Sequence, residues 1–411
     1  MPGPLSHIRV LDLSRVLAGP WAGQNLADLG AEVIKVERPK VGDDSRSFGP
    51  PWVKDKAGQQ TRDSAYFTSA NRGKKSITVN VAHAEGQALI RALVRECDVL
   101  IENYKHGDLA RYGLGYDNLK AVNPRLVYCS VTGFGQTGPY RERPGYDFMM
   151  QGMGGMMSVT GEPDGTPGGG PQRAGVPIAD IITGMYASIA ICAALASRDA
   201  QGPGQGKGQH LDLALLDSQI ALLAYQNTNY FSTGKPPGRI GNLHPNIVPY
   251  QPFKSSDGEV IVACGNDNLF RKFCEASGCA ELIADPRFAT NGKRVENRVE
   301  ITRLIQEVFR KKTTAQWLEL LEAAGVPNGP INDIAQVFEE PQVKARGVKI
   351  ELEHAAAGKL PLVASPMRFS GTPLEYRLAP PLLGEHTDQV LKQFLKMDDA
   401  GIAKLRAAGV V

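Results

Sequence analysis

The stretch "HIRVLDLSRVLAGPWAGQNLADLGAEVIKVER", residues 7–38, contains a complete strand–helix–strand pattern. "HIRVLDLS" predicts a short apolar strand, "WAGQNLADLG" a helix that ends on Gly30, and "AEVIKVER" a second strand. Two strands joined through a helix form a βαβ unit, in which the strands run parallel. The stretch therefore predicts an α/β fold with a mostly parallel sheet.

The same alternation continues through the first third of the chain. "SITVNV", "DVLIENY" and "RLVYCSVTGF" predict strands, whereas "EGQALIRALVREC" and "YDNLKAVNP" predict helices. Short apolar strands of this kind fit a sheet that is covered on both faces.

From about Gly133 to Pro177 the chain is dense in glycine and proline, which predicts long loops. "GFGQTG" matches the G-x-G-x-x-G pattern of dinucleotide-binding sites. However, Pro139 and "YRERPGYD" follow, where such a site needs a helix to bind a pyrophosphate. A turn-rich loop is therefore favoured. P-loop, G-x-S-x-G and H-E-x-x-H motifs are absent from the sequence.

A helix is predicted from near Asp180 to about Ala196, in "GVPIADIITGMYA" and the residues that follow. After Asp180 no charged residue occurs before Arg198, and a carboxylate is costly if it is buried without a partner. Asp180 is either the N-cap of this helix or a covalent nucleophile at its start. The uncharged run is also long enough for a membrane span, but its many small residues favour a buried helix.

Basic residues follow two predicted strands. Arg38 ends "AEVIKVER", and Arg111 comes shortly after "DVLIENY", while Lys74 and Lys75 precede "SITVNV". Ligands of open parallel sheets bind outside the carboxyl ends of the strands. Arg38 and Arg111 therefore either meet one anionic ligand or lie on the solvated surface.

The composition is that of an ordinary globular protein with a nearly balanced charge. The 411 residues include 46 Lys and Arg against 43 Asp and Glu, a net charge of +3, which does not favour a nucleic-acid binder. Six scattered cysteines form no C-x-x-C pair, which favours free thiols over disulfides or a metal site. With no signal-peptide or transit pattern at the N-terminus, we expect a cytoplasmic protein.

The pattern of elements predicts two domains. Residues 1–200 are expected to form the N-terminal part of a large domain, and residues 201–234 a linker that contains "QGPGQGKGQ". Residues 235–328 are expected to form a smaller α+β domain. Residues 329–411 would then hold a return linker and the C-terminal part that completes the large domain.

Six stretches, read in order, resemble the family III CoA-transferases, the group that includes formyl-CoA transferase. They are "LDLSRVLAGPWAGQNLADLGAEVIKVERP", "NRGKKSITVN", "ENYKHGDLARYGLGYD", "SVTGFGQTGPY", "PGYD" and "GVPIADIITGMYA". The later "HPNIVPYQPF" and "LLGEHT" look most like the succinyl-CoA:glutarate branch. The resemblance implies a Rossmann-like large domain, an interlocked ring-shaped homodimer, coenzyme A as a substrate and no prosthetic group, metal, nucleic acid or membrane.

The resemblance also implies site residues. Asp180 matches the family's catalytic aspartate, which forms a mixed anhydride with the donor acyl group and then a thioester with CoA. "GNLHPNIVPYQ" stands where formyl-CoA transferase has consecutive glycines, so His244 and Asn246 lie near the acceptor acid or His244 is only a turn residue. The positions that match CoA contacts are Val16, Leu17, Arg38, Asn80, Val81, Asn103, Tyr104, Lys105, Arg111, Tyr146 and Asp147.

The expected reaction moves CoA from succinyl-CoA to a short dicarboxylic acid such as glutarate. Carnitine, itaconate or a sulfinate-bearing acid are the alternative acceptors. A 2-methylacyl-CoA racemase is disfavoured because its "GHD" histidine is replaced by Tyr146, and tyrosine is a poor base at neutral pH. A non-catalytic CoA-binding protein is disfavoured because Asp180 and its glycine-rich surroundings are present.

Overall fold

The computed structural model describes residues 3–202 and 204–411. Met1, Pro2 and Pro203 lie outside the described residues, and with them the first two residues of the N-terminal segment and one residue of the predicted linker 201–234. The described residues form two compact units. The first is drawn from Met1–Met156, Ala174–Phe231 and Lys344–Val411, and the second from Met157–Arg173 and Ser232–Val343.

The strands of the first half of the chain follow the predicted alternation with helices. In chain order the strands are β1 (Arg9–Asp12), β2 (Glu32–Glu37), β3 (Trp52–Lys54), β4 (Gln60–Ser64), β5 (Lys74–Thr78), β6 (Val99–Glu102), β7 (Val127–Thr132), β8 (His210–Ala214), β9 (Tyr250–Lys254), β10 (Glu259–Ala263), β11 (Asn328–Pro330), β12 (Lys349–His354) and β13 (Gly358–Val363).

Most helices are short, and α8 is the longest in the described part of the chain. The helices are α1 (Ala18–Asp28), α2 (Ala65–Ser69), α3 (Ala84–Arg95), α4 (Asp108–Arg111), α5 (Tyr116–Val122), α6 (Asp147–Met153), α7 (Met156–Val159), α8 (Ile178–Asp199), α9 (Leu215–Leu222), α10 (Tyr225–Thr233), α11 (Asp267–Ser277), α12 (Glu281–Ala284), α13 (Asn291–Glu296), α14 (Arg298–Phe309), α15 (Thr314–Ala323), α16 (Ile334–Glu339), α17 (Pro341–Ala345), α18 (Thr387–Leu395) and α19 (Asp399–Ala407), with a 3₁₀ turn at Asp44–Ser47.

The first unit is built on a six-stranded sheet in the order β5-β2-β1-β6-β7-β8. All neighbouring strands in it are parallel. When the six strands are numbered by their order along the chain, the sheet has the order 3-2-1-4-5-6. This is the doubly wound order of the Rossmann fold, in which the direction of strand addition reverses beside β1. The predicted α/β fold with a parallel sheet is confirmed. Two antiparallel hairpins, β3–β4 and β12–β13, belong to the same unit.

Successive strand residues point to opposite faces of this sheet, and each face carries its own core. On one face Leu11 and Ile34 pack with apolar residues of α3, α18 and α19. On the other face Val10 and Val33 pack with residues of α1 and α8. The sheet is therefore buried on both sides, as the short apolar strands predict.

The second unit contains the antiparallel sheet β11-β10-β9 and helices α11 to α15. Its core is aromatic: the ring of Phe309 stacks on Trp317 with 4.3 Å between centroids and on Phe253 with 4.9 Å. Trp317 Nε1 donates a hydrogen bond to the Phe309 carbonyl oxygen at 2.8 Å, so this buried indole is satisfied.

Three details differ from the sequence-based expectations. The loop region between Gly133 and Pro177 contains helices α6 and α7, because "DFMMQGM" places apolar residues between the two glycine- and proline-rich segments. The hairpin β3–β4 was not predicted because the polar β4 sequence "QTRDS" has no apolar alternation. Helix α8 begins at Ile178, two residues before Asp180. The loop at "GFGQTG" is confirmed, since no helix begins between Gly133 and Tyr146.

Helix α8 is long and apolar enough to cross a membrane by length and composition alone, and a single helix of this kind is weak support for a span. In this unit it packs against α1, α9, β7 and β8. At Gly184 a Cβ atom would lie 2.5 Å from the Ala18 carbonyl oxygen, so only glycine lets α8 approach the first turn of α1 this closely. The close approach brings the N-terminal ends of both helices together.

Candidate active site

The candidate site lies where the strand order reverses, at the carboxyl ends of β1 and β6. The segments that follow these two strands are joined by two hydrogen bonds. The Arg15 backbone N–H donates to Asn103 Oδ1 at 2.8 Å, and Asn103 Nδ2 donates to the Arg15 carbonyl oxygen at 2.7 Å. Residues about 90 positions apart in the sequence are thereby fixed against each other.

An open cavity of about 230 Å³ lies at this point. It is cationic, since Arg15, Arg141 and Arg143 line it together with Lys105. Sequence reasoning assigned no role to these arginines, although two of them are present in the quoted "YRERPGYD". The cavity brings together seven of the predicted site residues: Val16, Leu17, Asn103, Tyr104, Lys105, Tyr146 and Asp180.

Asp180 occupies the third position of α8, which begins after Pro177. The interpretation of Asp180 as an N-cap is therefore wrong. The helix is capped from another element, because Asp147 Oδ1 of α6 accepts hydrogen bonds from the backbone N–H groups of Ala179 at 2.8 Å and Asp180 at 3.4 Å. The carboxylate of Asp180 itself accepts no hydrogen bond from any residue the structure describes.

Two causes raise the pKa of Asp180 to about 7. Burial is the larger cause because it disfavours the charged carboxylate, and the negative charge of Asp147 adds to it. Burial and the charge of Asp180 also raise the pKa of Tyr66 on α2 above its usual range. A half-buried carboxyl group that is partly ionised at neutral pH and has no hydrogen-bond partner is suited to act as a nucleophile.

The loop between β1 and α1 contains a strained residue. Val16 has φ = 71°, a left-handed conformation that a β-branched residue rarely adopts. Its backbone N–H donates to Asp43 Oδ1 at 3.0 Å. Asp43 in turn forms a fully buried ion pair of 2.8 Å with Lys35, whose Nζ also donates to the Ser14 carbonyl oxygen. Burial alone would raise the pKa of Asp43, but Lys35 holds it well below its usual range.

A second buried lysine supports the same loop. Lys74 lies within β5 rather than before it, and its Nζ donates to Asp12 Oδ2, to the Pro20 carbonyl oxygen and to Asn71 Oδ1 at 2.8–3.0 Å. Burial lowers the pKa of Lys74 to about 8, against the opposing effect of Asp12. Lys74 is therefore an internal support for the start of α1 and is not a basic residue at the mouth of the cavity.

Five predicted CoA contacts do not line the cavity. Arg38 and Arg111 are exposed and form ion pairs with Asp44 and Asp108, so they do not meet beside Asp180. The other three have structural contacts: the Asn80 N–H donates to the Val410 carbonyl oxygen at 2.7 Å, Val81 packs on the core, and Asp147 caps α8.

His244 and Asn246 belong to the second unit. His244 Nδ1 accepts a hydrogen bond from the Asn246 backbone N–H at 3.1 Å, and the Arg298 guanidinium donates to the carbonyl oxygens of His244 and Pro245. This geometry gives His244 a role in a turn. A role beside the acceptor acid stays a prediction.

All six cysteines are free thiols, as the scattered spacing predicts. Within residues 3–202 and 204–411, no group of three or more His, Cys, Asp or Glu side chains is arranged to hold a metal ion. A larger cavity of about 610 Å³, lined by Lys40, Trp52 and Leu382 among others, contains none of the predicted site residues.

We expect Asp180→Asn to stabilise the chain by more at pH 8 than at pH 5. Because the pKa of Asp180 is raised on folding, the folded state binds this proton more tightly, and the free energy of unfolding falls as pH rises from about 4 to 7. Asparagine does not ionise and avoids this loss. At about 1.4 kcal/mol for each pH unit between the two pKa values, the gain at pH 8 is about 2–4 kcal/mol. Urea unfolding at both pH values measures it, and an equal change at both would contradict it.

The family model described as CoA-transferase family III matches residues 5–387 of this chain. A succinate–glutarate CoA-transferase of Agrobacterium fabrum is 50% identical over 390 residues, 95% of each chain. The succinyl-CoA:glutarate CoA-transferase of Homo sapiens is 44% identical over 99% of this chain and 90% of its own. A crystal structure of a CAIB/BAIF family protein from Brucella suis has 49% identity and a TM-score of 0.82, and the match covers 96% of this chain and 100% of that one.

Proposed function

This chain belongs to CoA-transferase family III, and we propose that it moves CoA from succinyl-CoA to glutarate through covalent intermediates on Asp180. It is an enzyme of the transferase class that uses CoA thioesters as substrates. The choice of succinyl-CoA and glutarate is supported by the names of relatives that are 44–50% identical over nearly the whole chain. The nucleophilic role rests on one observation: the half-buried Asp180 carboxylate lies in a cationic cavity and accepts no hydrogen bond from the described residues.

In the proposed mechanism, an Asp180 oxygen attacks the thioester carbonyl carbon of the donor. The carbon–sulfur bond breaks and CoA thiolate leaves, giving a mixed anhydride between succinate and Asp180. The thiolate then attacks the aspartyl carbonyl carbon and releases succinate, which leaves Asp180 as a CoA thioester. Glutarate repeats the two steps in reverse order and leaves as glutaryl-CoA. Each step exchanges one activated acyl group for another, so no ATP is consumed.

The cavity lining supports roles for its other residues. We assign Val16, Leu17, Asn103, Tyr104, Lys105 and Tyr146 to the part of CoA nearest the thioester. Arg15, Arg141 and Arg143 are the cations available for phosphate or carboxylate oxygens. We propose Arg38, Asn80, Val81 and Arg111, which do not line the cavity, only for more distant parts of CoA. Asp147 acts through Asp180 rather than by contact with CoA.

The proposed reaction is tested with purified protein, succinyl-CoA and single acids: glutarate, itaconate, carnitine and a sulfinate. Acyl-CoA products are separated and identified by mass spectrometry. We expect glutaryl-CoA to form fastest, in amounts that depend on glutarate. Faster formation of the CoA thioester of another acid would show that this acid, rather than glutarate, is the preferred acceptor. No product from any acid, together with deuterium uptake into a 2-methylacyl-CoA in heavy water, would overturn the transferase mechanism.

We also propose that the enzyme is a homodimer, interlocked as the family resemblance implies, in the cytoplasm. Helix α8 exposes apolar side chains that a partner subunit would cover: Met185, Tyr186 and Ile189, the last with 62% of its surface accessible. Free cysteines support a reducing compartment. That residues 201–234 and the first part of 329–411 act as linkers stays a prediction. Sedimentation equilibrium distinguishes a dimer from a monomer.

A further inference from the structure

Glu102 ends strand β6, immediately before the segment Asn103–Lys105 that lines the active-site cavity, and only 5% of its surface is accessible. Unlike most buried carboxylates of this unit, it forms no ion pair with any described residue. Each of the following has a lysine or arginine partner: Asp12, Asp28, Glu37, Asp43 and Asp63.

The carboxylate of Glu102 accepts one backbone hydrogen bond and lies beside a hydroxyl group. Its Oε2 accepts from the Tyr104 backbone N–H at 2.8 Å, so it fixes the backbone of the cavity-lining segment. Ser130, its register partner on β7, carries a hydroxyl group that favours the ionised form of this carboxylate. Ser130 Oγ also lies 2.9 Å from Nε2 of His210 on β8. The three side chains form a row of polar groups across β6, β7 and β8.

This row of polar side chains reaches a second cavity of about 310 Å³. Glu102, Ser130 and His210 all line it, and it shares Lys105 and His106 with the active-site cavity. The His210 ring is stacked on Tyr116, with 5.2 Å between centroids. The order Glu–Ser–His differs from a catalytic triad, in which histidine stands between the carboxylate and the hydroxyl. The arrangement is therefore suited to carry a proton rather than to activate a serine nucleophile.

Burial raises the pKa of Glu102 to about 7, and the Ser130 hydroxyl group and the hydrogen bond from the Tyr104 N–H oppose this only in part. The negative charges of Asp108 on α4 and Asp212 on β8 raise it further. Other titratable groups surround this end of β6: Tyr104, Lys105 and His106 in the following segment, Tyr116 and Asp117 on α5, Tyr128 on β7 and His210 on β8.

We propose that Glu102 is a positioning residue whose carboxylate fixes the segment Asn103–Lys105 for CoA binding and exchanges its proton with the second cavity through Ser130 and His210. To protonate Glu102, His210 takes a proton from water at its free ring nitrogen and gives its Nε2 proton to Ser130 Oγ. Ser130 gives its own hydroxyl proton to Glu102. A protonated carboxyl group accepts the Tyr104 hydrogen bond less strongly, so CoA affinity falls as pH falls through 7. This inference rests on the proposed contact between CoA and the segment.

The test measures the dissociation constant for CoA by titration calorimetry at pH 6, 7 and 8, in an Asp180→Asn background where the nucleophile cannot titrate. We expect the dissociation constant to rise about three- to tenfold from pH 8 to pH 6, the range for one weakened hydrogen bond. Adding Glu102→Gln keeps a neutral acceptor for the Tyr104 N–H. This variant should bind weakly at all three pH values, with the affinity that Glu102 shows at pH 6.

Two further variants make the result specific. Ser130→Ala removes a donor to the ionised Glu102, so the pH midpoint of the affinity change should move upward. Asn118→Ala removes the side chain of an exposed, uncharged residue that lines the same cavity, and it should change nothing. The phosphate monoester of CoA titrates near pH 6 in every variant, so variants are compared at each pH. An unchanged pH dependence in Glu102→Gln would overturn the inference, whereas failure of every variant to bind CoA would overturn the proposed function.

Discussion

Asp180→Asn is expected to lower the rate of CoA transfer by more than about a thousandfold, because loss of a covalent nucleophile leaves only binding and positioning. Asparagine keeps the shape of the side chain. The backbone N–H of residue 180 still donates to Asp147, so α8 should begin at the same residue. Initial rates of glutaryl-CoA formation measure the loss. Mass spectrometry of the intact protein, incubated with succinyl-CoA, should show a CoA adduct in the unmodified enzyme and none in the variant.

Asp217→Asn is the matched control for this prediction. Asp217 is an exposed aspartate in the first turn of α9. The Asp217→Asn variant should transfer CoA at the same rate as the unmodified enzyme. Transfer by Asp180→Asn within tenfold of the unmodified rate, or a CoA adduct in that variant, would show that another group carries the acyl chain. Circular dichroism of both variants excludes unfolding as the cause of a loss.

The second large effect is expected at Lys35. Lys35→Met leaves Asp43 buried and unpaired, which costs about 3–5 kcal/mol in the free energy of unfolding. The strained backbone at Val16 then depends on an acceptor that no longer has its cation. Adding Asp43→Asn removes the unpaired charge while an amide oxygen can still accept the Val16 hydrogen bond. The double variant should therefore recover at least about half of the loss.

Urea unfolding at pH 7 measures both variants. Lys75→Met serves as the control, because the Lys75–Glu32 ion pair is partly exposed and its loss should cost about 1 kcal/mol or less. If Lys35→Met and Lys75→Met lowered the free energy of unfolding equally, burial of the Lys35–Asp43 pair would not increase the cost of losing its lysine. A double variant that is less stable than Lys35→Met alone would contradict the account given for Asp43.

The sequence predicted the parts of the fold that depend on local patterns. Alternating apolar strands and helices between residues 7 and 135 were sufficient for the parallel sheet, because burial on both faces requires those runs. The strand order was not predicted from the residues themselves, since nothing local to β1 specifies that β6 lies beside it. Helix α6 was missed because its seven residues lie between glycine- and proline-rich segments that dominate the composition of the region.

The candidate site shows the same division. The family resemblance named seven residues that share one cavity, because they stand in segments that follow strands or at the start of a helix. It assigned Asp147 to CoA, which stays a prediction, but it did not indicate that the Asp147 carboxylate caps α8 from a position 32 residues away in the sequence. The row of Glu102, Ser130 and His210 spans three strands, so no pattern within one strand predicts it.

The C-terminal segment closes the face of the sheet that carries Leu11 and Ile34. Helices α18 and α19 and the last two residues, Val410 and Val411, complete that core. On the ribosome, all six strands have been synthesised by Ala214, and roughly 170 further residues precede α18. At 5–20 residues per second, the apolar face stays uncovered for roughly 10–35 s. The nascent chain therefore exposes the apolar residues of this face during that interval, and truncation before α18 would remove the residues that cover it.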